Sequence, residues 1–160
     1  MYILVKKYKY FHSPGNHDRD LGVHFYHLTT NRGITNFPKQ HYDNGVLKQK
    51  VANDQFKSVV RIIKNARSYA VDKGLLAKGK APSYFLQGLL FNIPNSVFVA
   101  DTSKTIHGVL DYLYSAYISG FVCQNGKHLL FGPSEEQWNT VDARETINAL
   151  VYLWNNWHTV

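Results

Sequence analysis

The sequence predicts an α+β fold that is predominantly helical, and three observations carry that prediction. Beyond residue 50, four segments place apolar residues at helical spacing. Before it, short apolar and aromatic runs are separated by Gly, Pro and Asn. Near residue 125 a single Asn-Gly pair stands between two apolar runs, the strongest short-range signal for a second, short hairpin. With 160 residues, 44% hydrophobic and 14% aromatic, the chain supports one globular domain: a partial β section over 1–50 and a helical lobe over 51–160.

Taken in order, Met1 to Val5 reads as an apolar strand, followed by the basic and aromatic run Lys6 to Phe11. Ser13-Pro14-Gly15-Asn16 breaks regularity. Val23 to Leu28 and Ile34 to Phe37 flank Thr29-Thr30-Asn31-Arg32-Gly33 as a hairpin, with a positive φ expected at Gly33. Pro38 ends the second strand, and Lys39 to Lys50, punctuated by Asn44-Gly45, reads as a polar connector. Asn53 is the expected cap of a helix over Asp54 to Lys73, stopped by Gly74. A second helix runs from about Ser83 to Asn92; it is apolar nearly all round, as a central helix is. A third follows the Asp101 or Thr102 cap, with Ile106, Val109, Leu110, Leu113 and Tyr117 on one face. After the Asn125-Gly126 hairpin, a last helix from about Thr140 to Trp157 aligns Ala143, Ile147, Leu150, Val151 and Trp154. Trp138, Trp154 and Trp157 read as core and rim packing.

The formal net charge of +7 favours anionic partners but is spread along the chain, with no basic tail. A single cysteine excludes an internal disulfide, and no run reaches the ~18 apolar residues of a membrane span, which leads us to expect a cytoplasmic protein. No Walker A loop, dinucleotide glycine fingerprint or G-x-S-x-G elbow occurs. His24 and His27 fall three apart, on opposite faces of a strand, so they do not make a metal pair. Asp18 and Asp20 share a face if extended, but they sit in a Gly- and Asn-rich break that favours a solvated loop. We expect no metal ligands and no catalytic side chains in these residues.

The chemistry-bearing pattern is a line of cations, Lys57, Arg61 and Lys64, on the first long helix. The line lies about 100° from the stripe Phe56, Val59, Val60, Ile63, Ala66 and Ala70, which is where a groove rim falls. Pro82-Ser83-Tyr84 then opens the second helix with a hydroxyl, free amides and a ring. Cations, amide donors and a flat ring together suit a nucleotide. Each has a plainer explanation: a solvated helix face for the cations, an N-cap for Ser83, a packed ring for Tyr84.

Three stretches, Ile34-Thr35-Asn36-Phe37-Pro38-Lys39-Gln40-His41, Phe56-Lys57-Ser58-Val59-Val60-Arg61-Ile62-Ile63-Lys64-Asn65-Ala66-Arg67 and Ala81-Pro82-Ser83-Tyr84-Phe85-Leu86-Gln87-Gly88-Leu89-Leu90-Phe91-Asn92-Ile93-Pro94, resemble the C-terminal half of the cGAS/DncV-like nucleotidyltransferases. These CD-NTases are relatives of cyclic GMP-AMP synthase and oligoadenylate synthase. The bacterial branch makes cyclic or linear oligonucleotides in antiphage signalling. The resemblance implies that Lys64 and Ser83 contact a donor triphosphate, that Tyr84 stacks on a base, and that Arg61 and Lys57 assist. Gln87 departs from the acid common at its place. The family's Gly-Ser turn and Mg²⁺-holding carboxylates have no counterpart in these residues, the third acid falling at or just before Met1. The expectation is therefore a nucleotide-binding lobe that is catalytically incomplete as this chain, a fragment or split part. NTPs and a missing N-terminal catalytic half are its partners, and Mg²⁺ is the cofactor of the complete enzyme. The alternative is a non-catalytic nucleotide- or protein-binding module derived from that lobe; nucleic acid is a weaker partner, and exposed apolar surface could drive a homodimer.

Overall fold

In the computed structural model, residues 6–11, 19–26, 33–134 and 136–159 are described. Strands β1 (Lys6–Phe11), β2 (Arg19–Tyr26) and β3 (Gly33–Asn36) form an antiparallel sheet in the order β1-β2-β3. Lys6 pairs with His24 and Phe11 with Arg19; Val23 pairs with Asn36 and Tyr26 with Gly33. The predicted hairpin is thus present, with β2 starting earlier than its apolar run. Gly33 opens β3 as a paired strand residue without the expected positive φ. The Met1 to Val5 strand, the Ser13 to Asn16 break, Asp18, His27 and the turn residues Thr29 to Arg32 lie outside the described residues.

The expected polar connector is instead a helix, α1 (Pro38–Val51). Its pattern is inverted: Gly45 and Lys48 are buried, while Tyr42, Val46, Leu47 and Val51 face outward. Lys48 is only 7% exposed. Its ammonium donates to Ile93 O (2.5 Å) and Asn95 Oδ1 (2.7 Å) and lies over the Phe91 and Phe98 rings. Those two acceptors offset a desolvation that pulls the Lys48 pKa down.

Helix α2 (Phe56–Asp72) buries Phe56, Val59, Val60, Ile63 and Ala70 as its periodicity requires. Asn53 is not its cap: Asn53 and Asp54 take positive φ in a tight reversal, Gln55 holds the N-cap position, and Asn53 Nδ2 donates to Phe98 O (2.6 Å). Gly74, at φ +72°, ends the helix as predicted. Helix α3 (Ser83–Phe91) buries Leu86, Gly88, Leu89 and Leu90. Helix α4 (Thr102–Ser115) is capped by Asp101, whose carboxylate accepts from the Lys104 amide (3.1 Å). Tyr117, expected on its buried face, lies beyond its end and is 84% exposed.

The second hairpin is minimal, a bridge between Val122 and Leu129 around Gly126 at φ +68°. Helix α5 (Thr140–Asn155) is capped by Asn139 and buries Ala143, Ile147, Leu150 and Leu153. Helix α2 packs on α3 and α5, and α4 packs on α5, enclosing one core that also takes in Trp138. Trp154 and Trp157 are exposed at the rim of an apolar cleft of 610 Å³ between α2, α4 and α5. Among the described residues, no helix is long and apolar enough to cross a membrane.

Candidate functional site

The first turn of α3 meets the middle of α2 because Arg67 reaches across: its Nη1 donates to Ala81 O and its Nη2 to Ser83 Oγ (3.2 Å). The capping role open to Ser83 is not the one it has. Pro82 occupies the N-cap position, no side chain caps the helix, and Ser83 is its first residue with an exposed hydroxyl. One turn before Arg67, Lys64 is partly buried and donates to Gln87 Oε1 (3.2 Å). Burial, then the Arg67 charge, lowers the Lys64 pKa. Its partner is a neutral amide, no carboxylate among the described residues compensates its charge, and two adjacent cations in that setting attract an anion.

Gln87 carries the network further. Its Nε2 reaches Gln124 Oε1 (3.0 Å) and His41 Nε2 (3.3 Å), while Gln124 Nε2 donates to His41 O (2.8 Å). His41 is held largely neutral by burial, then by the Lys64 charge. Its ring stacks on Tyr84 at 5.5 Å with the planes 19° apart. Tyr84 is 40% exposed, so one part of its ring packs against His41 and Phe85 and the rest is free to contact a ligand. Burial first, then the neighbouring Cys123 and the Glu136 charge, push the pKa of its hydroxyl up to about 12.

Tyr84 walls a cleft of 390 Å³, of the size that takes a small organic ligand. Its lining runs from the Ile34–Pro38 corner through His41 and Phe85 to Cys123, His128 and Glu136. The structure therefore brings Lys64, Ser83 and Tyr84 together. Arg61 and Lys57 are exposed on α2, about 4.5 and 10 Å along the helix from Lys64, and neither lines the cleft. Sequence reasoning assigned no role to Arg67, His41, Gln124 or Glu136. Only Arg67 had a signal, continuing the cation line one turn beyond Lys64; the others come from segments whose approach depends on tertiary packing.

The fold is that of the helical lobe of a nucleotidyltransferase. The chain belongs to the cGAS/DncV-like nucleotidyltransferases: the model of their C-terminal helical domain matches residues 43–155. It is 40% identical over 136 residues to a cyclic UMP-AMP synthase of Rhodothermus marinus, covering 85% of this chain and 47% of that protein. It is 35% identical over 152 residues to the cyclic nucleotide synthase CdnE01 of Staphylococcus haemolyticus, covering 91% and 51%. The structure of Rhodothermus marinus CdnE c-UMP-AMP synthase with Apcpp and Upnpp superposes with a TM-score of 0.86 at 36% identity, over 96% of this chain and 52% of that one. That of Elizabethkingia meningoseptica CdnE cyclic dinucleotide synthase with GTP and Apcpp gives 0.75 at 25% identity, over 87% and 51%. The chain thus spans about half the length of these relatives.

Proposed function

We propose that this chain is the nucleotide-holding lobe of an enzyme that joins nucleoside triphosphates into cyclic or linear oligonucleotide second messengers in antiphage signalling. The observation that carries the reading is the pair Lys64 and Arg67 beside the Ser83 hydroxyl, next to a half-exposed aromatic ring. A triphosphate takes the two cations, the hydroxyl and the amides that open α3, while the base stacks on Tyr84. Arg61, one turn away, adds long-range attraction, and Lys57 acts only as part of the general positive field. The relatives solved with Apcpp, Upnpp and GTP support nucleoside triphosphates as the ligand class.

Phosphodiester formation in this family implies Mg²⁺, and the residues described here do not fit that ion: no group of three or more His, Cys, Asp or Glu converges among them. We assign positioning to this chain and the metal-holding carboxylates to a catalytic half that works with it. The lobe orients the triphosphate, shields its charge and stacks its base. The test is reconstitution. Alone with Mg²⁺ or Mn²⁺ and four nucleoside triphosphates, the chain should give no labelled oligonucleotide on thin-layer chromatography. With an N-terminal half from the Rhodothermus marinus relative, product should appear and depend on Lys64. Ligand binding without product in every combination would favour the non-catalytic module.

A further inference from the structure

The surroundings of Tyr84 are electrically asymmetric. Lys64, Arg67 and Ser83 stand beside the cleft but outside its lining, whereas Glu136 lies within it and is the one carboxylate among the described lining residues. Glu136 comes from the segment between the second hairpin and α5, and its Oε1 accepts from the Thr35 backbone amide (2.5 Å) of β3. That bond fixes the carboxylate against the sheet. Its other oxygen has no partner among the described residues. The carboxylate lines the same cleft as Tyr84 and Cys123.

A fixed carboxylate repels phosphate and attracts N–H donors. A nucleotide meeting this surface is therefore oriented, phosphates toward Lys64 and Arg67 and base toward Glu136. We propose that Glu136 is a base-reading residue, whose free carboxylate oxygen accepts from an N–H on the hydrogen-bonding edge of the nucleobase stacked on Tyr84. The inference rests on the nucleotide reading above and adds the polarity of the bound ligand. Carboxylates accept from base N–H groups in this way in nucleic-acid recognition. Thr35 is the positioning partner: its amide uses one oxygen and leaves the other for the ligand.

Glu136→Gln isolates the effect, since its Oε1 still accepts from Thr35 while the ligand-facing atom becomes an N–H₂, set donor against donor. Calorimetry on the chain compares UTP, CTP, ATP and GTP with inorganic tripolyphosphate. The wild type should bind its preferred nucleotide more tightly than tripolyphosphate. Glu136→Gln should lower nucleotide affinity by about 10-fold, the loss of one charge-assisted hydrogen bond, without weakening tripolyphosphate. 3-Methyluridine triphosphate, which lacks the N3–H, should bind both proteins alike. Unchanged nucleotide affinity in Glu136→Gln where Lys64→Ala does weaken binding would overturn this inference alone. An equal loss for tripolyphosphate would also overturn it. No binding of any nucleotide, or no effect of Lys64→Ala, would overturn the nucleotide reading and this inference with it.

Discussion

Replacing Lys64 by Ala removes one ammonium whose only side-chain partner among the described residues is the Gln87 amide at 3.2 Å. Gln87 keeps His41 and Gln124, and Lys64 is only partly buried, so the apo fold should lose little: melting curves of the two proteins should nearly coincide. Binding is different. A charge-assisted hydrogen bond to phosphate contributes about 1.5 to 3 kcal/mol, which corresponds to roughly a 10- to 150-fold weaker nucleoside triphosphate dissociation constant in the variant. The pH dependence adds a second signature. Burial and Arg67 lower the Lys64 pKa in the free protein, so the unfolded chain binds more protons than the folded one between that depressed value and the ordinary 10.5. Within that window the charge penalty on folding disappears as pH rises, and the lysine's contribution to stability increases. Ligand affinity runs the other way. A bound phosphate favours the ammonium, so binding takes up protons there and weakens with pH, and Lys64→Ala abolishes that slope. Calorimetry in two buffers of different ionisation enthalpy measures both quantities. Equal affinity and equal proton uptake in wild type and Lys64→Ala would refute the placement of phosphate at this lysine.

Tyr84→Phe should keep ligand affinity within a few fold, and Tyr84→Ala should lose about 1 to 3 kcal/mol of stacking; melts with and without ligand separate this from packing, and a large fall in the apo melting temperature would assign the ring to the core. Gly45→Ala should destabilise the chain even though alanine favours a helix by about 1 kcal/mol, because a Cβ there would stand 2.5 Å from Gln124 Nε2, and the buried Gln124 can yield only by giving up its bonds to His41 O and Gln87; urea unfolding reads the sign. Lys48→Ala strands the Ile93 carbonyl and the Asn95 amide oxygen, so a loss of about 1 to 3 kcal/mol should appear in the same assay, with no change in nucleotide selectivity.

How far the sequence revealed the molecule varies from element to element. Helices α2 to α5 were legible because their apolar residues face the core at helical spacing, and Asp101, Pro82 and Gly74 mark ends by local capping chemistry alone. Helix α1 was not, because burial there follows packing partners rather than side-chain polarity: a lysine goes in and Tyr42, Val46, Leu47 and Val51 stay out. Asn53 had the right residue type for a cap but is used to hold Phe98 instead. At the site, Lys64 and Tyr84 followed from pattern and resemblance together. Arg67 was overlooked beside Lys64, and the contacts of Gln124 and Glu136 span 83 and 101 residues of sequence separation, beyond any local periodicity.

The inverted burial of α1 also bears on the order in which the molecule can be built. A helix of 14 residues with a glycine in its middle and no amphipathic stripe has almost no tendency to form in isolation. Its stability comes from two later arrivals, the Ile93–Asn95 corner that receives Lys48 and the Gln124 side chain that receives His41 O and lies against Gly45. During synthesis the segment Pro38–Val51 leaves the ribosome about 70 residues before Gln124, and until the second hairpin emerges it lacks the side chain that holds His41 O and covers Gly45. The last part of its ordering is therefore late, and because α1 carries His41, the stacking wall of the cleft is fixed only once the Gln124 side chain is in place.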